Sequence, residues 1–162
     1  MTHYNIRSEK ELFELFSRLT PAQELQGVYQ PEFPGAKFMR PVKLWGLGLL
    51  GLPGWQGKQF FGDNAVNIIT CNGHAAAGMT MKISIRPHKL DGELGLVATY
   101  PEDAPLIWRH CTDEFRVLDE CTLLGMTHFD LPMIRHKPMM FVLHHAKDHA
   151  GVSSVNEASG GS

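Results

Sequence analysis

The chain has 162 residues, of which 43% are hydrophobic and 20% are charged. These fractions are typical of globular domains and argue against a disordered chain, a collagen-like rod or a coiled coil. Fifteen lysines and arginines against seventeen acidic residues give a formal net charge of −2. The cations do not cluster as phosphate binding requires, so we expect no nucleic-acid partner.

Two further features bear on where the protein resides. Its start has no basic segment followed by an apolar run, and no stretch approaches the roughly 18 consecutive apolar residues of a membrane span. Its three cysteines are an odd number without CxxC spacing, which does not fit a disulfide framework. We therefore expect a cytoplasmic protein with reduced thiols and no insertion into membranes.

One amphipathic helix is predicted over residues 8–19. Ser8 and Glu11 have the spacing of a capping box, and apolar residues follow at helical intervals: Leu12, Phe13, Leu15, Phe16 and Leu19. Residues 20–23 repeat the cap chemistry, with Pro21 at the first helical position. This pattern predicts a second short helical turn.

From Gly27 onward the apolar pattern has a period of two, with turn residues about every ten positions. Tight links at 72–73, 91–92 and 119–121 favour antiparallel neighbours, and a sheet of this size has two exposed edges unless it closes. We predict a single domain over residues 1–150, a mainly β, about eight-stranded antiparallel barrel with an N-terminal α-helix, and a disordered tail over 151–162. The predicted strands are 25–32, 55–61, 65–71, 78–86, 94–100, 113–118, 122–130 and 139–145.

The apolar segment 38–53 contains glycines and prolines that break regular structure. One interpretation is a cap over the barrel mouth that places Trp45 and Leu49 against a ligand. The alternative is ordinary core packing.

Strand alternation predicts which other residues line the interior, which in a barrel of this size is either filled by side chains or holds one small ligand. Methionine adapts well to an irregular apolar guest. We expect the ligand to contact Trp55, Lys58, Met79, Met81, Trp108, Met126 and Met140. Plain core filling is the alternative for these methionines.

Two segments carry candidate acid–base groups. Alternation over 122–130 places His128 and Asp130 on one face, so Asp130 is expected to orient His128 as a general base or acid. The alternative is an exposed pair at a strand end. On the strand that follows Trp108, Asp113 is predicted to point with the apolar residues, and Glu114 to the opposite face. Asp113 is then either a turn residue at the start of the strand or a carboxylate aimed at the core.

Four short motifs resemble the GXWXG domain and its companion domain of unknown function. They lie at residues 25–30, 54–60, 113–116 and 123–126, and the resemblance spans about residues 12 to 145. The first motif departs from the family pattern, with Tyr29 at the usual tryptophan and Pro31 at the usual second glycine. The resemblance implies a lipocalin-like barrel with its ligand inside and with Tyr29 and Trp55 as structural plugs. It implies no established activity.

Two functions of different classes fit these residues. The first is an enzyme without a cofactor that acts on a small hydrophobic molecule as an isomerase, cyclase or lyase. It would use His128 and Asp130, then Asp113 or Glu114 as the second acid–base group, and Arg109 or Lys58 to stabilise negative charge.

The second function is a passive carrier or sensor of a lipid-like, polyketide, terpenoid or haem ligand. A homodimer or other oligomer formed through segment 38–53 is a third interpretation. The spacings of HExxH, facial-triad and CxxC sites are absent, so no metal site is predicted.

Overall fold

The computed structural model describes residues 8–32 and 52–147. Trp45, Leu49, most of the predicted cap and the predicted tail lie outside these ranges. Within them, the chain forms one α-helix, a short 3-10 helix and eight β-strands. No helix among the described residues is long and apolar enough to cross a membrane.

Helix α1 spans Glu9–Phe16 and begins as the capping box predicts. The Ser8 hydroxyl accepts a hydrogen bond from the Glu11 amide, and the Glu11 carboxylate accepts one from the Ser8 amide, both at 3.2 Å. These two hydrogen bonds stabilise the first turn, because the amide groups there have no hydrogen-bond acceptors within the helix. The helix ends three residues before the predicted boundary.

Eight antiparallel strands close into a barrel in simple sequence order, and β8 pairs with β1. This confirms the predicted fold class, a lipocalin-like antiparallel barrel with an N-terminal helix. The strands are β1 (Gln26–Glu32), β2 (Gly57–Phe61), β3 (Asn64–Cys71), β4 (His74–Pro87), β5 (Leu94–Thr99), β6 (Cys111–Asp119), β7 (Thr122–Phe129) and β8 (Met139–His145).

The turn between β3 and β4 explains why β4 begins four residues before its predicted start. Asn72 and Gly73 both have positive φ, 51° and 78°, which is the backbone that joins two twisted strands by a two-residue turn. Pairing therefore starts immediately beside the turn, at Cys71 and His74.

The predicted helical turn over residues 20–23 is wrong. Pro21 instead forms a bridge with Arg116 on β6. The Ala22 amide donates to the Phe115 carbonyl at 2.9 Å, and the Ala22 carbonyl accepts from the Leu96 amide at 2.7 Å. Direct pairing between β5 and β6 covers only three residue pairs, so this segment supplies partners that buried backbone groups would otherwise lack.

The barrel wall separates two hydrophobic clusters. The inner cluster fills the barrel and includes the edge-to-face rings of Phe60, Phe115 and Phe141. The outer cluster lies between α1 and the outer faces of β7 and β8. It consists of Leu12, Phe16, Leu124, Met126, Met140 and Val142.

The prediction that Met126 and Met140 line the interior is therefore wrong. Both are buried in the outer cluster, opposite each other on β7 and β8. Both faces of β7 are buried because α1 covers the outer one. Gly125 on the inner face leaves the space that the Phe141 ring occupies.

Candidate functional site

The barrel interior contains an ion pair between Lys58 and Asp113. Lys58 is the second residue of β2 and Asp113 the third residue of β6, and their side chains point inward among apolar neighbours. The distance from Lys58 Nζ to Asp113 Oδ2 is 2.8 Å, and neither side chain is more than 3% exposed. This confirms the prediction that Asp113 points with the apolar residues of its strand.

Polar side chains complete a cluster around the lysine. Lys58 Nζ donates to Asn67 Oδ1 at 2.9 Å and lies 3.3 Å from the Tyr100 hydroxyl. The Trp55 indole donates to the same Asn67 oxygen at 3.1 Å. Lys58 Nζ also lies 3.4 Å from the sulfur of Met81.

The Asp113 carboxylate is held from two sides. Its Oδ1 accepts a hydrogen bond from the Thr127 hydroxyl at 2.7 Å. Its Oδ2 faces Lys58 and also accepts from the Tyr100 hydroxyl at 3.4 Å. Four strands, β2, β3, β6 and β7, together with Tyr100 just after β5, thus hold one carboxylate and one ammonium group beside each other.

Aromatic rings surround the ammonium group. Its nitrogen lies 5.6 Å from the ring centre of Trp55, 5.7 Å from that of Tyr100 and 5.9 Å from that of Phe141. A cation at such distances is attracted by the negative faces of the rings. The rings also exclude water, which strengthens every charge interaction in the cluster.

A small cavity borders this cluster, with free space of about 10 Å³. That is about the space one water molecule needs. Four polar residues and five apolar ones form its wall: Lys58, Tyr100, Asp113 and Thr127, with Leu52, Trp55, Trp108, Met139 and Phe141.

Burial and a neighbouring charge shift the pKa values of two groups beside the ion pair. Burial raises the pKa of Tyr100 well above its usual range, and the negative charge of Asp113 adds to the shift. The same two causes raise the pKa of the Cys111 thiol to about 12. Tyr100 therefore keeps its proton and acts as a hydrogen-bond donor, and Cys111 stays a neutral thiol at physiological pH.

A second cluster of titratable residues lies on the outer side of the wall. The Glu114 carboxylate lies 3.1 Å from Nε2 of His128 and 3.9 Å from Nδ1 of His88. Its other oxygen accepts from the Lys89 amide at 2.6 Å. These contacts lower the pKa of Glu114 although its burial opposes them.

The predicted set of catalytic residues is therefore divided by the wall. Glu114 and His128 lie outside it, and Asp113 lies inside. The prediction that Asp130 orients His128 is wrong, because Asp130 is exposed and pairs with Lys89 at 2.6 Å.

Arg109 also lies apart from the interior. It is exposed in the 3-10 helix Trp108–His110, and its guanidinium reaches the Glu102 carbonyl at 3.5 Å.

The predicted ligand contacts divide in the same way. Trp55, Lys58 and Trp108 border the cavity. Met81 contacts Lys58, and Met79 is partly buried against the inner cluster.

Sequence reasoning missed Asn67, Tyr100 and Thr127. A signal existed for Asn67, because alternation along β3 places it between Ala65 and Ile69 as a polar residue on an apolar face. Thr127 likewise shares the inner face of β7 with Leu123. Among the described residues, no group of three or more His, Cys, Asp or Glu side chains is placed to hold a metal ion.

Comparisons with known proteins show the fold of this chain. No family model matches, and no curated protein matches. A crystal structure of a protein from Thermomonospora curvata is similar, with a TM-score of 0.66. The alignment covers 86% of this chain and 88% of that one at 16% identity. At this identity the similarity shows a shared fold and no shared activity.

Proposed function

We propose that the barrel binds a small, mainly apolar molecule whose oxygen group lies beside Lys58 and Asp113, and that this pair transforms it by acid–base chemistry without a cofactor. The proposed reaction class is that of an isomerase, cyclase or lyase. One observation carries the proposal. It is the 2.8 Å ion pair inside the barrel, at the wall of a mainly apolar cavity.

The energetic cost of the pair supports a functional role. Removing two charges from water costs several kcal/mol per ion, and apolar residues of similar volume are often as stable or more stable in their place. The rest of the interior is filled by apolar side chains, many of them aromatic. A barrel that required only a stable core would have no need of Lys58 and Asp113.

The chemistry of the cluster suits proton transfer to and from a ligand. Asp113 can accept a proton, while Lys58 and the protonated Tyr100 hydroxyl can donate to an oxygen on which negative charge develops. All three groups border the cavity.

A guest larger than one water requires side chains around the cavity to move. Met139, at the start of β8, is half-buried and unbranched, so it is the lining residue best able to adapt.

The mostly apolar cavity wall also supports a second candidate function, a carrier that holds its ligand without turnover. Five of the nine lining residues are apolar, and a carrier needs few polar groups inside. An enzyme and a carrier differ in what happens to the bound compound.

Native mass spectrometry of protein purified from its own host, followed by denaturing extraction, tests the binding. We expect one small apolar compound per chain. Lys82→Met is the control for Lys58→Met, because Lys82 is exposed on the outer face of β4. The Lys82→Met variant should retain the compound. Protein that carries no compound, before and after incubation with an extract of its host, would contradict the proposal.

Incubating the extracted compound with the protein in heavy water separates the two functions. Acid–base catalysis incorporates deuterium at carbon or gives a new product, whereas a carrier returns the compound unchanged. We expect incorporation with the wild type and a loss of about 10²-fold or more in its rate with Asp113→Asn.

A further inference from the structure

The Lys58 amino group is placed to act as a nucleophile once Asp113 has taken its proton, rather than only as a charge. It is buried among aromatic rings and lies 2.8 Å from a carboxylate that can take up its proton. Lysines buried in an apolar pocket can form Schiff bases with carbonyl substrates.

We propose that the ligand is an apolar aldehyde or ketone that forms an imine with Lys58 Nζ. The inference rests on the proposed function, because it uses the same cavity, and it adds the substrate class and a covalent step. An iminium group acidifies the neighbouring C–H bond, which is how a carbonyl compound can isomerise, cyclise or cleave without a cofactor.

The step balances with groups that the site contains. The ammonium of Lys58 gives one proton to Asp113, and the neutral amine attacks the carbonyl carbon to form the C–N bond. The carbonyl oxygen takes a proton from the Tyr100 hydroxyl, which Asp113 then reprotonates. A further proton, from the amine nitrogen, lets this oxygen leave as water, so that the lysine ammonium and the carbonyl give a protonated imine and water, and Asp113 is a carboxylate again.

The residues around Lys58 also suit the product of the reaction, a protonated imine. A protonated imine keeps the positive charge of the lysine, so Asp113 Oδ2 remains its counter-ion and the rings of Trp55, Tyr100 and Phe141 still surround it. The Tyr100 hydroxyl lies 3.3 Å from Nζ, within reach of an oxygen on the carbon that Nζ attacks. Burial and Asp113 keep that hydroxyl protonated by raising its pKa.

Reductive trapping tests the inference. The full chain is incubated with octanal or cinnamaldehyde and cyanoborohydride, and the adducts are located by intact mass and peptide mapping. We expect one adduct per chain on Lys58 that forms at least about 10-fold faster than adducts on exposed lysines, because the site binds and orients the aldehyde. Lys82→Met should keep this adduct, and Lys58→Met should lose it.

Asp113→Asn provides an independent variant, since it keeps the shape of the side chain but cannot take up the lysine proton. We expect trapping at Lys58 to slow by about 10²-fold, the usual contribution of one acid–base group. Equal rates in wild type and Asp113→Asn would overturn the proposed step.

Noncovalent binding of the corresponding alcohols, octanol and cinnamyl alcohol, distinguishes a failure of the imine inference from a failure of the proposed binding function. If native mass spectrometry shows that the alcohols bind while the aldehydes modify only surface lysines, the imine inference fails and the binding function stands. If neither the alcohols nor the aldehydes bind in the barrel, both proposals fail for this class of compound.

Discussion

Lys58 on β2 and Asp113 on β6 form an ion pair across the inside of the barrel, with 2.8 Å between Nζ and Oδ2. The two strands lie opposite each other in the closed order of eight. The pair therefore links two sides of the wall that share no backbone hydrogen bonds. Its contribution to stability and its contribution to function can be separated by substitution.

We expect Lys58→Met to lower the free energy of unfolding by about 3–5 kcal/mol, because it leaves the Asp113 carboxylate buried without its counter-ion. The double variant Lys58→Met with Asp113→Leu should recover most of this loss, since it removes both charges. Urea denaturation measures both values. A double variant as unstable as the single one would show that the pair itself stabilises the fold.

The cluster of Glu114, His88 and His128 should make stability depend on pH. Burial lowers the pKa of His88 below its ordinary value of 6.5, although Glu114 opposes the shift. The unfolded chain then takes up a proton at higher pH than the folded one, so the free energy of unfolding falls as the pH drops below about 6.5. Denaturation from pH 7.5 down to pH 5 should show this decrease.

His88→Gln is the control for that prediction. Its side chain does not titrate, so the slope between pH 7 and 5 should become shallower. The titration of Glu114, whose pKa is also lowered, remains and acts below about pH 4.5 in the same direction. Identical slopes in wild type and variant would assign the pH dependence to other groups.

Gly125 should not tolerate a side chain while Phe141 is present. A Cβ atom at this position would overlap the Phe141 ring, and overpacking of a filled core typically costs about 1–3 kcal/mol. We expect Gly125→Ala to lower the melting temperature. Adding Phe141→Leu should lessen the cost of the alanine, and a cost independent of Phe141 would refute this packing explanation.

The cysteines should differ in reactivity in the folded protein. Cys111 is buried and its pKa is raised to about 12, whereas Cys71 is exposed. Since only the thiolate reacts, iodoacetamide at pH 7.5 should modify Cys71 and leave Cys111 free. Peptide mapping after limited exposure measures this, with denatured protein as the positive control. Rapid modification of Cys111 in folded protein would contradict its burial.

Much of the fold follows from local patterns in the sequence. The capping box at Ser8 and Glu11, the period-two strands and the Asn72–Gly73 turn each rest on short-range chemistry. The structure contains all of them, although β4 begins four residues before its predicted start. The helical turn predicted after α1 is wrong because long-range pairing with Phe115 and Leu96 outweighs the helical signal of Pro21.

The candidate site was harder to predict, and β7 shows why. Alternation correctly grouped Met126 with His128 on one face and Thr127 with the opposite face. It cannot show which of two apolar faces lies inside a barrel and which lies beneath a helix. Alternation alone therefore combines acid–base residues from both sides of the wall. The partners of Lys58 lie on other strands and come together only when the barrel closes.

The amount of compound that co-purifies with the double variant Lys58→Met/Asp113→Leu, relative to wild type, tests the central claim most directly. Native mass spectrometry of both proteins, expressed in the original host, gives the ratio, and denaturation curves establish that both are folded. If the pair forms the binding site, wild type should carry one compound per chain and the double variant less than about one tenth of that, as expected from the loss of charged hydrogen-bond partners. Equal loading of the two folded proteins would contradict the claim that Lys58 and Asp113 bind the ligand.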